Sequence, residues 1–138
     1  MYSTLMNFNG NSIFRNNSAN HGGGIVAMNS TLYFSGNSMF ENNSAVLHGG
    51  GIHSRLSCTL DFSGNSTFEN NSAAHYGGGI HSISCILRFS SNSIFRNSAK
   101  YGGGIFDQTS TLNLSGSSTF ENNSATRYGG GIYAVYNS

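Results

Sequence analysis

The chain has 138 residues, with six lysines and arginines against five aspartates and glutamates and a formal net charge of +1. So sparse and even a charge excludes the basic surface that draws a protein to nucleic acid or to an anionic membrane. No apolar run approaches the roughly 20 residues that cross a bilayer, while aromatics at 12% argue for a chain with a core to bury.

Taken in order, the chain repeats itself. Each copy begins with an apolar-alternating segment: Met6-Asn7-Phe8, Leu32-Tyr33-Phe34, Leu60-Asp61-Phe62, Leu87-Arg88-Phe89, Leu112-Asn113-Leu114. Apolar residues two apart predict a half-buried strand. Turn residues follow at Gly10-Asn11, Gly36-Asn37 and Gly64-Asn65, with Ser91-Asn92 and Gly116-Ser117 in the last two copies. A second short strand is built on Phe14, Phe40, Phe68, Phe95 and Phe120. After Ala19, Ala45, Ala73, Ala99 and Ala125 comes a tip of variable length, then a triple glycine, then a third strand opening at Ile25, Ile52, Ile80, Ile105 and Ile132. The period is about 27 residues, within the range that marks solenoids.

Three short strands per unit, with no helix-length amphipathic stretch, predict an all-β fold. The expectation is one domain, a right-handed parallel β-helix solenoid of five coils, at about 3–29, 30–56, 57–83, 84–109 and 110–138. Right-handedness follows the strong preference of parallel crossovers. The absence of proline suits an unbroken sheet. Stacked coils bring equivalent residues to about 4.8 Å, so the phenylalanines, alanines and isoleucines become inward columns that no single unit could bury alone. The glycines serve tight backbone geometry, either positive φ or close packing against a neighbouring wall.

Alternation puts Asn16, Asn42, Asn70, Asn97 and Asn122 on the phenylalanine side. Buried amides need partners, so these five are expected to form an internal asparagine ladder. Between phenylalanine and asparagine an outward column reads Arg15, Glu41, Glu69, Arg96, Glu121. Three of its four steps are opposite in charge, a small net contribution on a solvated face.

Phe-x-x-Asn motifs such as Phe68-Glu69-Asn70-Asn71, paired with Gly-Gly-Gly-Ile runs, resemble the FxxN and GGA[I/L/V] repeats of chlamydial polymorphic outer membrane proteins. The resemblance covers all five units, with two departures. Phe95-Arg96-Asn97-Ser98 has one asparagine fewer, and glycine stands where that family usually has alanine. It implies a right-handed β-helix on an exported passenger, displayed at the cell surface and used in adhesion.

Cys58 and Cys85 occupy equivalent places in consecutive units, within reach of a disulfide if coils stack. A bridge and two free thiols are both open, and parallel in-register side chains count against the bridge. His53 and His81 are equivalent, as are His21 and His48. Two imidazoles make at best half a zinc site, and no acidic or thiolate partner repeats beside them. They read instead as aromatic columns: His21, His48, Tyr76, Tyr101, Tyr128, and Val26, His53, His81, Phe106, Tyr133. The first is the preferred recognition stripe. Glycosylation sequons at Asn29, Asn65 and Asn113 are plausible acceptors, whereas those at Asn16, Asn42, Asn70 and Asn122 coincide with the expected ladder.

The function expected is a non-enzymatic extracellular structural or adhesive module, a rigid spacer or display rod. Its partner is a host or cell-surface ligand, or itself. The ends lack polar caps, so the alternative is a self-assembling fibre of coils stacked end to end, or a fragment of a longer array. Nucleic acid binding and membrane insertion by this segment are not expected. A polysaccharide-active enzyme is less favoured, because such enzymes need clustered carboxylates or a calcium site in a groove. Asp61 and Asp107 are the only aspartates, and the glutamates share one outward column with arginines. No catalytic residue, metal or cofactor is assigned.

Overall fold

A computed structural model describes residues 3–136; residues 137 and 138 of the expected fifth coil lie outside it. The described residues form 18 strands and no helix. All pairings are parallel, each between a strand and its copy about one unit away, so the chain is a β-solenoid of about five turns. Three walls run its length. The first is built from Thr4–Phe8, Ser30–Phe34, Thr59–Phe62, Ile86–Phe89 and Thr111–Leu114. The third is built from Ile25–Met28, Ile52–Arg55, Ile80–Ile83, Ile105–Gln108 and Ile132–Val135.

The second wall is bent. In the second coil, for example, it splits into Ser38–Glu41 and Ser44–His48. The bend is a left-handed residue, Asn16, Asn42, Asn70 or Asn122, with φ between 52° and 58°. Asparagine tolerates that conformation better than most side chains. In the third coil one strand, Ser66–Ala73, runs through the bend, and in the fourth the bending residue is missing and the strand runs from Ser93 to Tyr101. Its pairing with the third coil shifts register between Glu69 and Ser72, where the extra residue is absorbed.

That bend corrects the asparagine expectation. A left-handed residue breaks the two-residue alternation, so Asn16, Asn42, Asn70 and Asn122 are exposed, while Asn43 and Asn71, which follow two of them, are buried. The amides that bond from coil to coil belong to Asn17, Asn43, Asn71 and Asn97. Asn17 Nδ2 donates to Asn43 Oδ1 at 3.0 Å, Asn43 Nδ2 to Asn71 Oδ1 at 3.0 Å, and Asn71 Nδ2 to Asn97 Oδ1 at 2.8 Å. The Asn97 amide N–H in turn donates to Asn123 Oδ1 at 2.7 Å. Nδ2 of Asn43, Asn71 and Asn97 also reaches a carbonyl beside the core, as Asn71 does to Phe40 at 2.8 Å. Burial therefore does not bar the sequons at Asn16, Asn42, Asn70 and Asn122.

The core lies between the walls as two phenylalanine stacks. Phe14, Phe40, Phe68, Phe95 and Phe120 follow one another at centroid distances of 4.6 to 4.8 Å with rings within 6° of parallel. Phe8, Phe34, Phe62 and Phe89 form the second stack and meet the first edge to face, as at Phe34 and Phe40 (5.9 Å, 72°). Ile52, Ile80 and Ile105 are wholly buried against them, with Ile25 and Ile132 packed on the same cluster. The alanines are set apart: Ala45, Ala73 and Ala99 form a small cluster of their own past the bend.

Candidate functional site

Past the bend, the second wall carries its side chains toward the triple-glycine turn. The first glycine of each turn has positive φ, as at Gly49 (+68°), and the chain reverses there into the third wall. The close of that turn brings two columns face to face. One is His21, His48, Tyr76, Tyr101, Tyr128, held in register by strand pairs and isolated bridges. The other is Val26, His53, His81, Phe106, Tyr133 on the third wall. Between them runs a groove of about 710 Å³, edged by Arg55, Ile83, Gln108 and Val135. None of the side chains lining it is a carboxylate.

Rings touch across the groove as well as along it. Tyr76 lies 4.6 Å from Phe106 and Tyr128 lies 5.6 Å from Tyr133. At the histidine end four imidazoles meet: His21 to His48 at 5.0 Å, His21 to His53 at 5.2 Å, His48 to His81 at 5.0 Å, and His53 to His81 at 4.9 Å. The sequence shows each column by itself, but their meeting depends on the turn geometry. The column expected to be a recognition stripe is therefore one side of a groove whose opposite side is the second aromatic column.

His53 and His81 are buried and their Nδ1 atoms stand 3.0 Å apart, so one ring donates to the other. Three further nitrogens, His21 Nδ1, His48 Nδ1 and His81 Nε2, are buried with no hydrogen-bond partner within the protein. Burial first, and neighbouring imidazoles second, disfavour the charged forms. His53 is pushed down to about 4 and His81 to about 2, and His48 is also lowered. At neutral pH His53 and His81 are uncharged.

Cys58 and Cys85 lie behind the third wall as buried free thiols, not a bridge. Their side chains run parallel from consecutive coils. Cys85 Sγ accepts from the Cys58 amide at 3.4 Å, while the Cys58 thiol donates to the Arg55 carbonyl at 2.9 Å. The Cys85 thiol is pushed up by its hydrogen bond with Cys58 and by burial. Beside them Asp107 faces inward in a column otherwise made of Ala27, Ser54, Ser82 and Ala134. Burial raises its carboxyl above the ordinary range, and its Oδ1 has no partner. It does not reach the groove. A hydrogen bond with the Ser110 side chain offsets part of that rise.

The outward charge column pairs as its sequence implies. Arg15 bridges Glu41 at 2.5 Å, and Arg96 bridges Glu69 at 3.4 Å and also Glu121. The like-charged step from Glu41 to Glu69 lies between them in register. No helix of the described residues is long and apolar enough to cross a membrane. Among the proposed glycan acceptors, Asn65 and Asn113 are exposed and Asn29 is half-buried in a left-handed turn.

Comparison with known proteins adds the family. No curated protein and no solved structure matches the chain. A family model, the Chlamydia polymorphic membrane protein (Chlamydia_PMP) repeat, matches residues 31–55, 59–83 and 117–135, together half of the chain. With the repeats it matches stacked as coils of one solenoid, the chain belongs to the Chlamydia polymorphic membrane protein repeat family.

Proposed function

We propose that this chain is a non-catalytic segment of a surface-displayed rod, and that the aromatic and histidine groove is the face with which it contacts an extracellular ligand at another cell. The observation that carries the reading is the continuity of the groove, to which the first coil contributes His21 and each of the next four contributes a side chain from both columns. Rigid aromatic rings supply contact area at little entropic cost, and they recur at binding surfaces for that reason. A groove lined without carboxylates offers no general acid and base pair, which favours recognition over hydrolysis. Membership of a polymorphic membrane protein family supports surface association.

The test is saturable binding of the labelled segment to cultured animal cells. Replacing Tyr76 and Tyr101 together by serine should lower it about tenfold or more, the loss of two hot-spot rings. Replacing Glu41 and Glu69 on the outward column should leave it unchanged. Equal binding by the tyrosine variant would overturn the assignment of the groove.

A second reading, association of copies end to end, has its own observation. Leu5, Met6, Ile13, Val26 and Met28 are exposed on the first described coil, where a coil of a second copy would lie against them. Light scattering across concentration separates the two: growth of mass favours stacking, and a constant monomer removes it.

A further inference from the structure

Read from sequence, the histidines fall into two pairs too small for a metal site. The fold places both pairs at one end of the groove, so four imidazoles occupy the space expected of two. Imidazole nitrogen suits the late first-row divalent ions, and the absence of carboxylates along the groove disfavours Ca²⁺ and Mg²⁺. Among the described residues no three His, Cys, Asp or Glu side chains already surround a common point. The closest pair of nitrogens is His53 Nδ1 and His81 Nδ1, 3.0 Å apart and hydrogen-bonded to each other, so both rings have to turn out of that bond to face one ion. Each would lie about 2.0–2.1 Å from a bound ion, and a pair so spaced subtends roughly 90° at the metal, the angle between two cis ligands.

We propose that the histidine end of the groove binds one Cu²⁺, Ni²⁺ or Zn²⁺ ion through His53 Nδ1 and His81 Nδ1. The remaining positions go to water from the groove, on which both residues border. The change is balanced. The ring that donates in the free protein carries its proton on Nδ1; on metal binding that proton moves to its own Nε2, and the two Nδ1 lone pairs form the coordination bonds. No proton is lost and no redox partner is required. His48, whose ring stands 5.0 Å from that of His81 and whose Nδ1 has no partner, is the nearest side chain able to turn in as a third ligand. Affinity should follow the usual divalent order, with Cu²⁺ tightest. This inference does not depend on the adhesive reading.

The columns themselves supply the variants. Val26 and Phe106 occupy the same column as His53 and His81, so His53→Val and His81→Phe place there side chains the fold already accepts. Calorimetric titration of tag-free protein with Cu²⁺, Ni²⁺ and Zn²⁺ should give one ion per chain for wild type and no heat with Mg²⁺ or Ca²⁺. Either variant should weaken binding about tenfold or more, while His75→Ala, at the half-buried tip with its ring 5.9 Å from that of His48, should not. Nitrogen hyperfine splitting in the electron paramagnetic resonance spectrum of the Cu²⁺ adduct should disappear with the His53 and His81 imidazoles. Circular dichroism of each variant checks that the solenoid persists. No saturable binding by wild type, or equal binding by folded His81→Phe, would overturn the proposal.

Discussion

At Asn70 and Asn71 one amide bends the backbone and the next secures it. Asn71 is fully buried; its Oδ1 accepts from the amide and the side chain of Asn43, and its Nδ2 donates to Phe40 O and Asn97 Oδ1. Asn71→Ala leaves several buried polar groups unpaired at about 1–3 kcal/mol each. We expect a loss of at least about 3 kcal/mol, measured as a lower urea midpoint at unchanged slope. Asn70 is exposed at φ 54°, so Asn70→Ala should cost only about 1–2 kcal/mol and Asn70→Gly less. Equal effects at the two positions would contradict this division of roles. The phenylalanine columns were legible because strict alternation holds along a straight strand. The ladder was misplaced by one residue at Asn16, Asn42, Asn70 and Asn122, because a single left-handed residue reverses that parity, and correctly placed at Asn97, where that residue is missing. The signal was present in the doublet itself: four units write Asn-Asn, and the fourth drops the bending asparagine while keeping the bonded one.

At the scale of the element, the triple glycine forms the groove's corner, and its members differ in purpose. Gly49 supplies positive φ, whereas at Gly50 a Cβ would lie 2.3 Å from Gly78 O and 2.5 Å from Ser72 O. Backbone on two sides cannot yield, so Gly50→Ala should cost more than about 4 kcal/mol or prevent folding. At Gly10 a Cβ would meet nothing within 4 Å, and Gly10→Ala should stay within about 0.5 kcal/mol by thermal melting. The sequence left positive φ and close packing as alternatives; both occur, at successive glycines. The same corner explains why the groove was not legible. Each aromatic column follows from the repeat, but which columns face one another is set by how sharply three glycines return the chain.

At the scale of the whole molecule, the buried imidazoles couple stability to pH. In metal-free protein His53 and His81 are depressed to about 4 and about 2, while in the unfolded chain both titrate near 6.5. As pH falls through 6.5 the unfolded state takes up protons that the folded state refuses, so stability is full above that value and declines below it. Each histidine removes about 1.4 kcal/mol per pH unit until its folded pKa is reached. Asp107 acts in the opposite sense: its carboxyl is raised, so its burial destabilises most above its folded pKa and is relieved as pH falls. Two buried imidazoles against one acid give a net loss between pH 6.5 and 4. The urea midpoint should therefore drop over that interval in wild type, and much less when His53→Val and His81→Phe are combined. Asp107→Ser, which copies Ser54 and Ser82 of its own column, should raise the midpoint at pH 7 and leave the slope of the acid decline in place. A wild-type midpoint constant from pH 7 to 4 would mean that these imidazoles open to solvent before they charge, and that successive coils are less tightly joined than the stacked columns imply.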